Sequence, residues 1–290
     1  MLTPSKIGKV LKLQLRERED SPMSNKNARV AVVTGGGGVL CSAIAKGLAR
    51  DGATVVLLDL ALDKTKAVAE SIRSEGGNAM AIQINILDRR DLDATATTIL
   101  DRYGRIDVLI NGAGGNHPKA TTSDELSFFD LSEESVRFVL DLNFMGTLLP
   151  SQIFGRVMSM TGTGVILNIA SMSAFRPLTR IPSYSAAKAA IANFTQWLAV
   201  YMAQNVSRDI RVNAIAPGFF LTEQNRALLT TESGELTARG NEIIRRTPMG
   251  KFGEPEDLVG TVNWLVSPDS SFVHGIVVPI DGGFSAYSGV

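Results

Sequence analysis

The chain has 290 residues, with 29 Lys+Arg balanced by 29 Asp+Glu, 44% apolar and 20% charged residues. That is an ordinary globular composition, neither disordered nor fibrous, with enough chain to bury a sizeable core. A net charge of 0 with no long basic run excludes nucleic acid or another polyanion as the main partner, while leaving small charged ligands open.

One cysteine, Cys41, excludes an internal disulfide and points to a reducing, cytoplasmic setting. Two histidines, His117 and His274, leave too few soft ligands for a zinc site, and no metal is expected. No apolar run approaches the roughly 20 residues that cross a bilayer, so no membrane partner is expected either. Residues 1–28 mix Leu2, Ile7, Val10 and Leu11 with Lys6, Lys9, Lys12 and Arg16. Lacking an uninterrupted apolar core and a small-residue cleavage site, they read as a solvated extension rather than a secretory signal. Met23 opens a sensible start just before the first apolar run, which makes residues 1–22 a candidate upstream addition.

From Arg29 onward, β-branched runs at 30–34, 54–59, 79–84, 106–111, 165–170, 211–216 and 275–280 alternate with helical patterns at 42–50, 63–75, 92–103, 132–160 and 183–205. This alternation predicts an α/β fold: one domain over 29–290, built on a single doubly wound, parallel, seven-stranded sheet with helices on both faces. Segments 114–131 and 217–254 are longer than connections need to be. Both leave the carboxyl ends of strands, where open α/β sheets bind ligands, and are expected to be pocket walls.

The first run enters Thr34-Gly35-Gly36-Gly37-Gly38-Val39-Leu40-Cys41 and a helix. Glycines at a strand-to-helix turn let backbone N–H groups approach a pyrophosphate, which the helix N-terminus then stabilises. The second run ends in Asp59, 24 residues after Gly35, about where an acidic side chain holds an adenine ribose hydroxyl. An Asp there repels a 2′-phosphate, and positions 36–41 carry no Lys or Arg, so NAD(H) is favoured over NADP(H). The alternative is that Asp59 merely caps the next segment. Asn111-Gly112-Ala113-Gly114 ends the fourth run with residues small enough for close passage of a cofactor.

Tyr184 and Lys188 stand four apart in a helical pattern, so phenol and ammonium share a face, and a nearby cation is expected to lower the tyrosine pKa. Ser171, 13 residues earlier at a strand end, is placed to hold a reacting oxygen. Taken singly, a Tyr and a Lys at this spacing more often form a surface pair.

Thr34-Gly35, Asp59, Asn111-Gly112-Ala113-Gly114, Asn143, Ser171, Tyr184-x-x-x-Lys188 and Pro217-Gly218-x-x-x-Thr222 fall in the order and spacing of the short-chain dehydrogenase/reductase family, and the resemblance covers 29–290. It implies that Tyr184 is the proton donor or acceptor, that Lys188 tunes it and binds the nicotinamide ribose, and that Ser171 positions the substrate oxygen. Asn143 would hold a water in a proton relay. The same resemblance places Gly35, Gly38, Val39, Leu40, Asp59, Asn85, Ile86, Asn111, Gly112, Ala113, Pro217, Gly218, Phe220 and Thr222 at the cofactor. Val39 and Cys41 depart from the family's glycines and Asn85 from its aspartate; Cys41 is expected to be a buried small residue rather than a reactive thiol.

Cations and donors cluster near the predicted mouth at Asn116, His117 and Lys119 and at Arg176 and Arg180, as a polyhydroxylated carboxylate requires, unless they face solvent or a subunit interface. With the stretch 213–226, these segments resemble the D-mannonate oxidoreductase (fructuronate reductase) branch of the family. That implies interconversion of D-fructuronate and D-mannonate, with Asn225 and Arg226 as further substrate contacts. Competing expectations are another polyol or sugar-acid dehydrogenase of the gluconate 5-dehydrogenase kind, a 3-oxoacyl reductase, and a catalytically silent nucleotide-binding module. The tail at 275–284 resembles the family's subunit-joining segment, which implies a homotetramer.

Overall fold

A computed structural model describes residues 28–222, 226 and 228–289. The expected extension therefore lies, except for its last residue, outside the described residues, and so does Asn225. The seven strands are β1 (Val30–Thr34), β2 (Thr54–Asp59), β3 (Asn78–Gln83), β4 (Val108–Asn111), β5 (Thr163–Ile169), β6 (Asp209–Pro217) and β7 (Val277–Ile280). They form one sheet in the order β3-β2-β1-β4-β5-β6-β7, with every pair parallel. This is the doubly wound fold that the alternation predicts.

Each strand alternates its side chains between two apolar layers, because successive residues point to opposite faces. Ala31 and Val33 join one core with Ile44 and Leu48 of α1 (Val39–Arg50), Ala69 and Ile72 of α2 (Leu62–Ser74) and Val262 and Leu265 of α8 (Val259–Val266). Val30 and Val32 join the other, with Leu92 and Ile99 of α3 (Arg89–Tyr103), Phe154 and Met158 of α5 (Gly146–Thr161) and Leu198 and Met202 of α6 (Pro182–Asn205). Each fully buried Ile or Leu contributes about 1.5–3 kcal/mol, so both faces must be covered for the sheet to be stable.

Two elements differ from the sequence pattern. The helix expected over 132–160 is α4 (Glu133–Leu140) and α5 separated by a single π-turn, Asp141–Met145. Apolar periodicity continues through the turn, but the wider backbone rotates Asn143 inward until it is wholly buried. The long segment 217–254 contains α7 (Ala238–Arg245), whose only buried residues are Gly240 and Ile243. Its eight residues hold few apolar side chains, so the short helix does not stand out from the long connection around it. No described helix is long and apolar enough to cross a membrane.

Candidate active site

The carboxyl ends of β1 and β4 meet where chain order reverses, and a cleft of about 600 Å³ opens above them. Thr34, at the end of β1, is wholly buried; its Oγ accepts the N–H groups of Gly112 (3.0 Å) and Ala113 (3.2 Å) from the chain leaving β4. Gly35 follows with φ +68°, and a Cβ on it would stand 2.9 Å from the Ala113 backbone, so only glycine passes here. Gly38 is the N-cap of α1 and offers no side chain to the first-turn N–H groups of Val39, Leu40 and Cys41, all of which line the cleft. An uncapped helix end facing a cavity is a cradle for an anionic group.

Asp59 forms the far wall. One carboxylate oxygen accepts the Gly37 N–H at 3.0 Å and the other the Ala61 N–H at 2.9 Å, which fixes its orientation toward the turn. Asn85 and Ile86 line the same end, with the Asn85 amide oxygen folded back onto the Leu87 N–H at 3.1 Å. Lys64, from the first turn of α2, also lines the cleft beside Gly37 and Asp59. The turn itself carries no cation in the sequence; Lys64 reaches it only because the fold brings α2 alongside. Asn111 stands apart from the other predicted cofactor residues. It is 1% exposed and lies beneath the cleft, where its amide donates to Ser151 Oγ (2.9 Å) and Asn168 Oδ1 (2.8 Å).

At the other end of the cleft stand Ser171, Tyr184 and Lys188. Ser171 caps a short turn after β5, accepting the Ser173 N–H at 3.2 Å, and Tyr184 enters on the first turn of α6, two residues after Pro182. Lys188 is buried and donates to the Ile169 carbonyl at 2.8 Å, with Nζ 5.5 Å from the Tyr184 ring centre. The expected lowering of the tyrosine by its lysine is not what this arrangement gives. Burial raises the Tyr184 pKa, the neighbouring Ser171 hydroxyl pulls it back, and the Lys188 ammonium is itself pushed down to about 8 by burial. The lysine's charge is spent on a carbonyl and weakened by desolvation, so the phenol stays protonated. Asn143, turned in by the π-turn, donates to the carbonyls of Gly115 and Val139 at 2.7 Å each. Its Oδ1 and the Lys188 Nζ both approach the α-carbon of Gly114, where a Cβ would meet them at 2.6 and 3.3 Å.

Pro217, Gly218, Phe220 and Thr222 complete the cleft. Phe219, between them, also lines a second cavity of about 940 Å³, together with Arg176, Arg180, Arg239, Arg245, Arg246 and Glu242. Arg239, Arg245 and Arg246 come from α7 and its end, a helix that the sequence pattern did not resolve; the one signal was three arginines within 239–246. Asn116, His117 and Arg226 line neither cavity. Asn116 donates to Thr121 Oγ at 2.8 Å and the His117 ring accepts the Lys119 N–H at 3.2 Å, so these polar groups are used in building the turn after β4. Arg226 is exposed.

Residues 29–233 match the family model described as short chain dehydrogenase. The chain belongs to the short-chain dehydrogenase/reductase family. It is 49% identical over 275 residues to the uncharacterized oxidoreductase UxuB of Bacillus subtilis (strain 168), covering 92% of this chain and 98% of that one. A crystal structure of a candidate D-mannonate oxidoreductase from Haemophilus influenzae with bound NAD is 46% identical, with a TM-score of 0.85 over 91% of this chain and 99% of that one. A candidate NAD(P)-dependent gluconate 5-dehydrogenase from Beutenbergia cavernae, with NADP bound at low occupancy, is 35% identical, with a TM-score of 0.79 over 90% and 98%. This dehydrogenase is thus an oxidoreductase of a family that acts on CH–OH groups with a nicotinamide cofactor.

Cys41 fills the floor of the cleft against Gly112, on which a Cβ would lie 2.2 Å from its Sγ. Gly112→Ala is expected to cost about 1–3 kcal/mol by overpacking, measured by urea unfolding. In a Cys41→Ala background the same substitution should cost about 1 kcal/mol less; equal costs in the two backgrounds would show that the sulfur is not the obstacle. Burial pushes the Cys41 thiol up to about 12. At pH 8 it is expected to resist iodoacetamide until the chain is unfolded, and rapid labelling of the native protein would contradict that reading.

Proposed function

We propose that this dehydrogenase uses NAD(H) to interconvert a ketone and a secondary alcohol on a sugar acid, D-fructuronate + NADH + H⁺ ⇌ D-mannonate + NAD⁺. The observation that carries the reading is the pairing of a Ser171–Tyr184–Lys188 cleft with an adjoining arginine-lined chamber across Phe219. Likeness to the Haemophilus protein with bound NAD supports it.

The residues present fit a dinucleotide. The uncapped N-terminus of α1 and the glycine turn, which a Cβ at Gly35 would block, suit a pyrophosphate; Gly38, Val39 and Leu40 would hold it. Asp59 would accept from the adenine ribose hydroxyls, with Asn85 and Ile86 against the adenine and Gly112 and Ala113 beneath the adenosine. Asn111 would contribute only by fixing this floor. Pro217, Gly218, Phe220 and Thr222 would border the nicotinamide, and Lys188 its ribose. Bound NADH supplies the hydride; this chain's own residues supply placement and protons.

Tyr184 donates its proton to the ketone oxygen as that oxygen gains negative charge, and the Ser171 hydroxyl holds the same oxygen by a hydrogen bond. A phenol kept protonated by burial is the correct form for reduction. Asn143 and Lys188, meeting beside Gly114, are placed to hold a water that returns a proton to the phenolate. In the oxidative direction each proton moves the opposite way.

A second reading, a gluconate 5-dehydrogenase-like enzyme using NADPH, is favoured by Lys64 beside Asp59 and by the Beutenbergia relative. Assembly into a homotetramer belongs to the same proposal. It is supported by the exposed stacked aromatics Trp197 (58%) and Tyr201 (44%) on α6 and by the partly exposed edge strand β7. A cytoplasmic setting is supported by the free, buried thiol.

Replacing Tyr184 by Phe is expected to leave NADH binding, followed by nucleotide fluorescence, within about twofold of the parent. Turnover of D-fructuronate should fall by about 10²–10⁴-fold, the usual contribution of a general acid. A Phe variant of near-parental rate would refute the assignment of the proton donor.

A further inference from the structure

The chamber beside the cleft carries five arginines, and their partners sort them into two sets. Arg245 and Arg246 both pair with Glu242, one turn back along α7. Two guanidinium groups share that carboxylate, so their charge is largely answered from within the helix. Arg176, Arg180 and Arg239 have no carboxylate within 4.0 Å among the described residues.

Arg180 and Arg239 reach the chamber from different elements. Arg180 lies in the segment between Ser171 and α6, four residues ahead of Tyr184, and its carbonyl accepts the Thr122 N–H at 2.9 Å, which ties it to the loop after β4. Arg239 is the second residue of α7, at the positive end of the helix dipole, where a cation is disfavoured. Burial holds the Arg239 guanidinium below its ordinary pKa, and the charge of Arg180 lowers it further. The exposed Glu125 feels Arg180 only as the last of its influences and forms no ion pair with it. Two exposed cations from separate elements thus face one cavity next to the cleft, with no carboxylate among the described residues to answer them.

We propose that Arg180 and Arg239 form the subsite for the substrate's carboxylate and set the enzyme's preference for acids whose carboxylate is remote from the reacting ketone. The inference rests on the sugar-acid reading above and names the residues that enforce it. Two guanidinium forks from separate elements can bind one carboxylate bidentately, with a geometry that an ammonium cannot supply. Their chamber adjoins the Ser171–Tyr184 cleft at Phe219 rather than lying inside it. A carboxylate there belongs several carbons from the carbonyl, as in a 5-keto hexonate such as D-fructuronate. In a 2-keto acid the two groups are adjacent, and both cannot be satisfied at once. D-Fructose presents a hydroxymethyl group where D-fructuronate has its carboxylate and leaves both arginines unanswered.

The test compares the parent enzyme with Arg180→Gln, Arg239→Gln and Arg245→Gln, the last being a chamber arginine already paired with Glu242. KM and kcat are measured with D-fructuronate, 5-keto-D-gluconate, 2-keto-D-gluconate and D-fructose, with NADH binding by fluorescence as the check on folding. The parent is expected to favour the 5-keto acids. Arg180→Gln and Arg239→Gln should each raise KM for them by about 10–100-fold, the loss of one charge-assisted pair, with kcat changed only a few-fold. Rates on D-fructose and NADH affinity should stay unchanged, and Arg245→Gln should behave as the parent. Unchanged KM in both variants would overturn the subsite, and so would an equal loss on D-fructose. If the parent prefers 5-keto-D-gluconate and the KM shifts appear on that acid, the subsite stands and the named substrate falls. If D-fructuronate is reduced well and neither variant differs from the parent, the reaction stands and the subsite falls.

Discussion

The Thr34 hydroxyl is the joint on which the cleft depends. It takes two backbone N–H groups from the chain leaving β4 and lies within 3.4 Å of the Ile110 carbonyl, so it clamps the ends of β1 and β4 together at the crossover of the sheet. An apolar residue of the same shape would leave two N–H groups of the chain leaving β4 without their acceptor, a penalty of about 1–3 kcal/mol each when such groups are buried. The same clamp brings Ala113 so close to Gly35 that the turn must be glycine, and the glycine turn in turn leaves α1 uncapped toward the cavity. The close approach of the two strand ends and the glycine at position 35 thus go together with one buried hydroxyl.

From that joint the charges are laid out along a line. Asp59 marks one end of the cleft, the phenol and buried ammonium mark the other, and the arginines lie beyond Phe219. The equal totals of 29 acidic and 29 basic residues hide this order completely. Burial does as much as charge in tuning the site. It keeps Tyr184 protonated, weakens the Lys188 ammonium and silences the Cys41 thiol, although all three line one cleft. Asp59, with one backbone N–H on each carboxylate oxygen, keeps its orientation and has lone pairs to spare for a ligand.

Much of this was legible in the sequence, for identifiable reasons. Strands β1 and β2 are apolar runs closed by Thr34 and Asp59, and their limits coincide with the pattern; the other five strands, central and edge alike, begin or end one or two residues away from it. The spacing of Ser171, Tyr184 and Lys188 survives folding because strand end and helix start are adjacent in the chain. What the sequence hid depends on backbone register or on tertiary neighbours. The π-turn is invisible to apolar periodicity, yet it is where the buried Asn143 sits. Lys64 and Arg239 look like ordinary surface cations until α2 and α7 are docked, whereas Asn116 and His117 look like ligands until their turn consumes them. The expected effect of Lys188 on Tyr184 failed because spacing reports a shared helix face, not that the ammonium is turned toward the Ile169 carbonyl.

The reading proposed for this dehydrogenase is reduction of a sugar-acid ketone by NADH. The most direct measurement is kcat/KM for D-fructuronate, 5-keto-D-gluconate and a β-ketoacyl thioester, each with NADH and with NADPH. The account predicts the highest value for D-fructuronate with NADH, little turnover of the thioester, and D-mannonate as the product. Equal rates across the three ketones, or a preference for the thioester with NADPH, would contradict it.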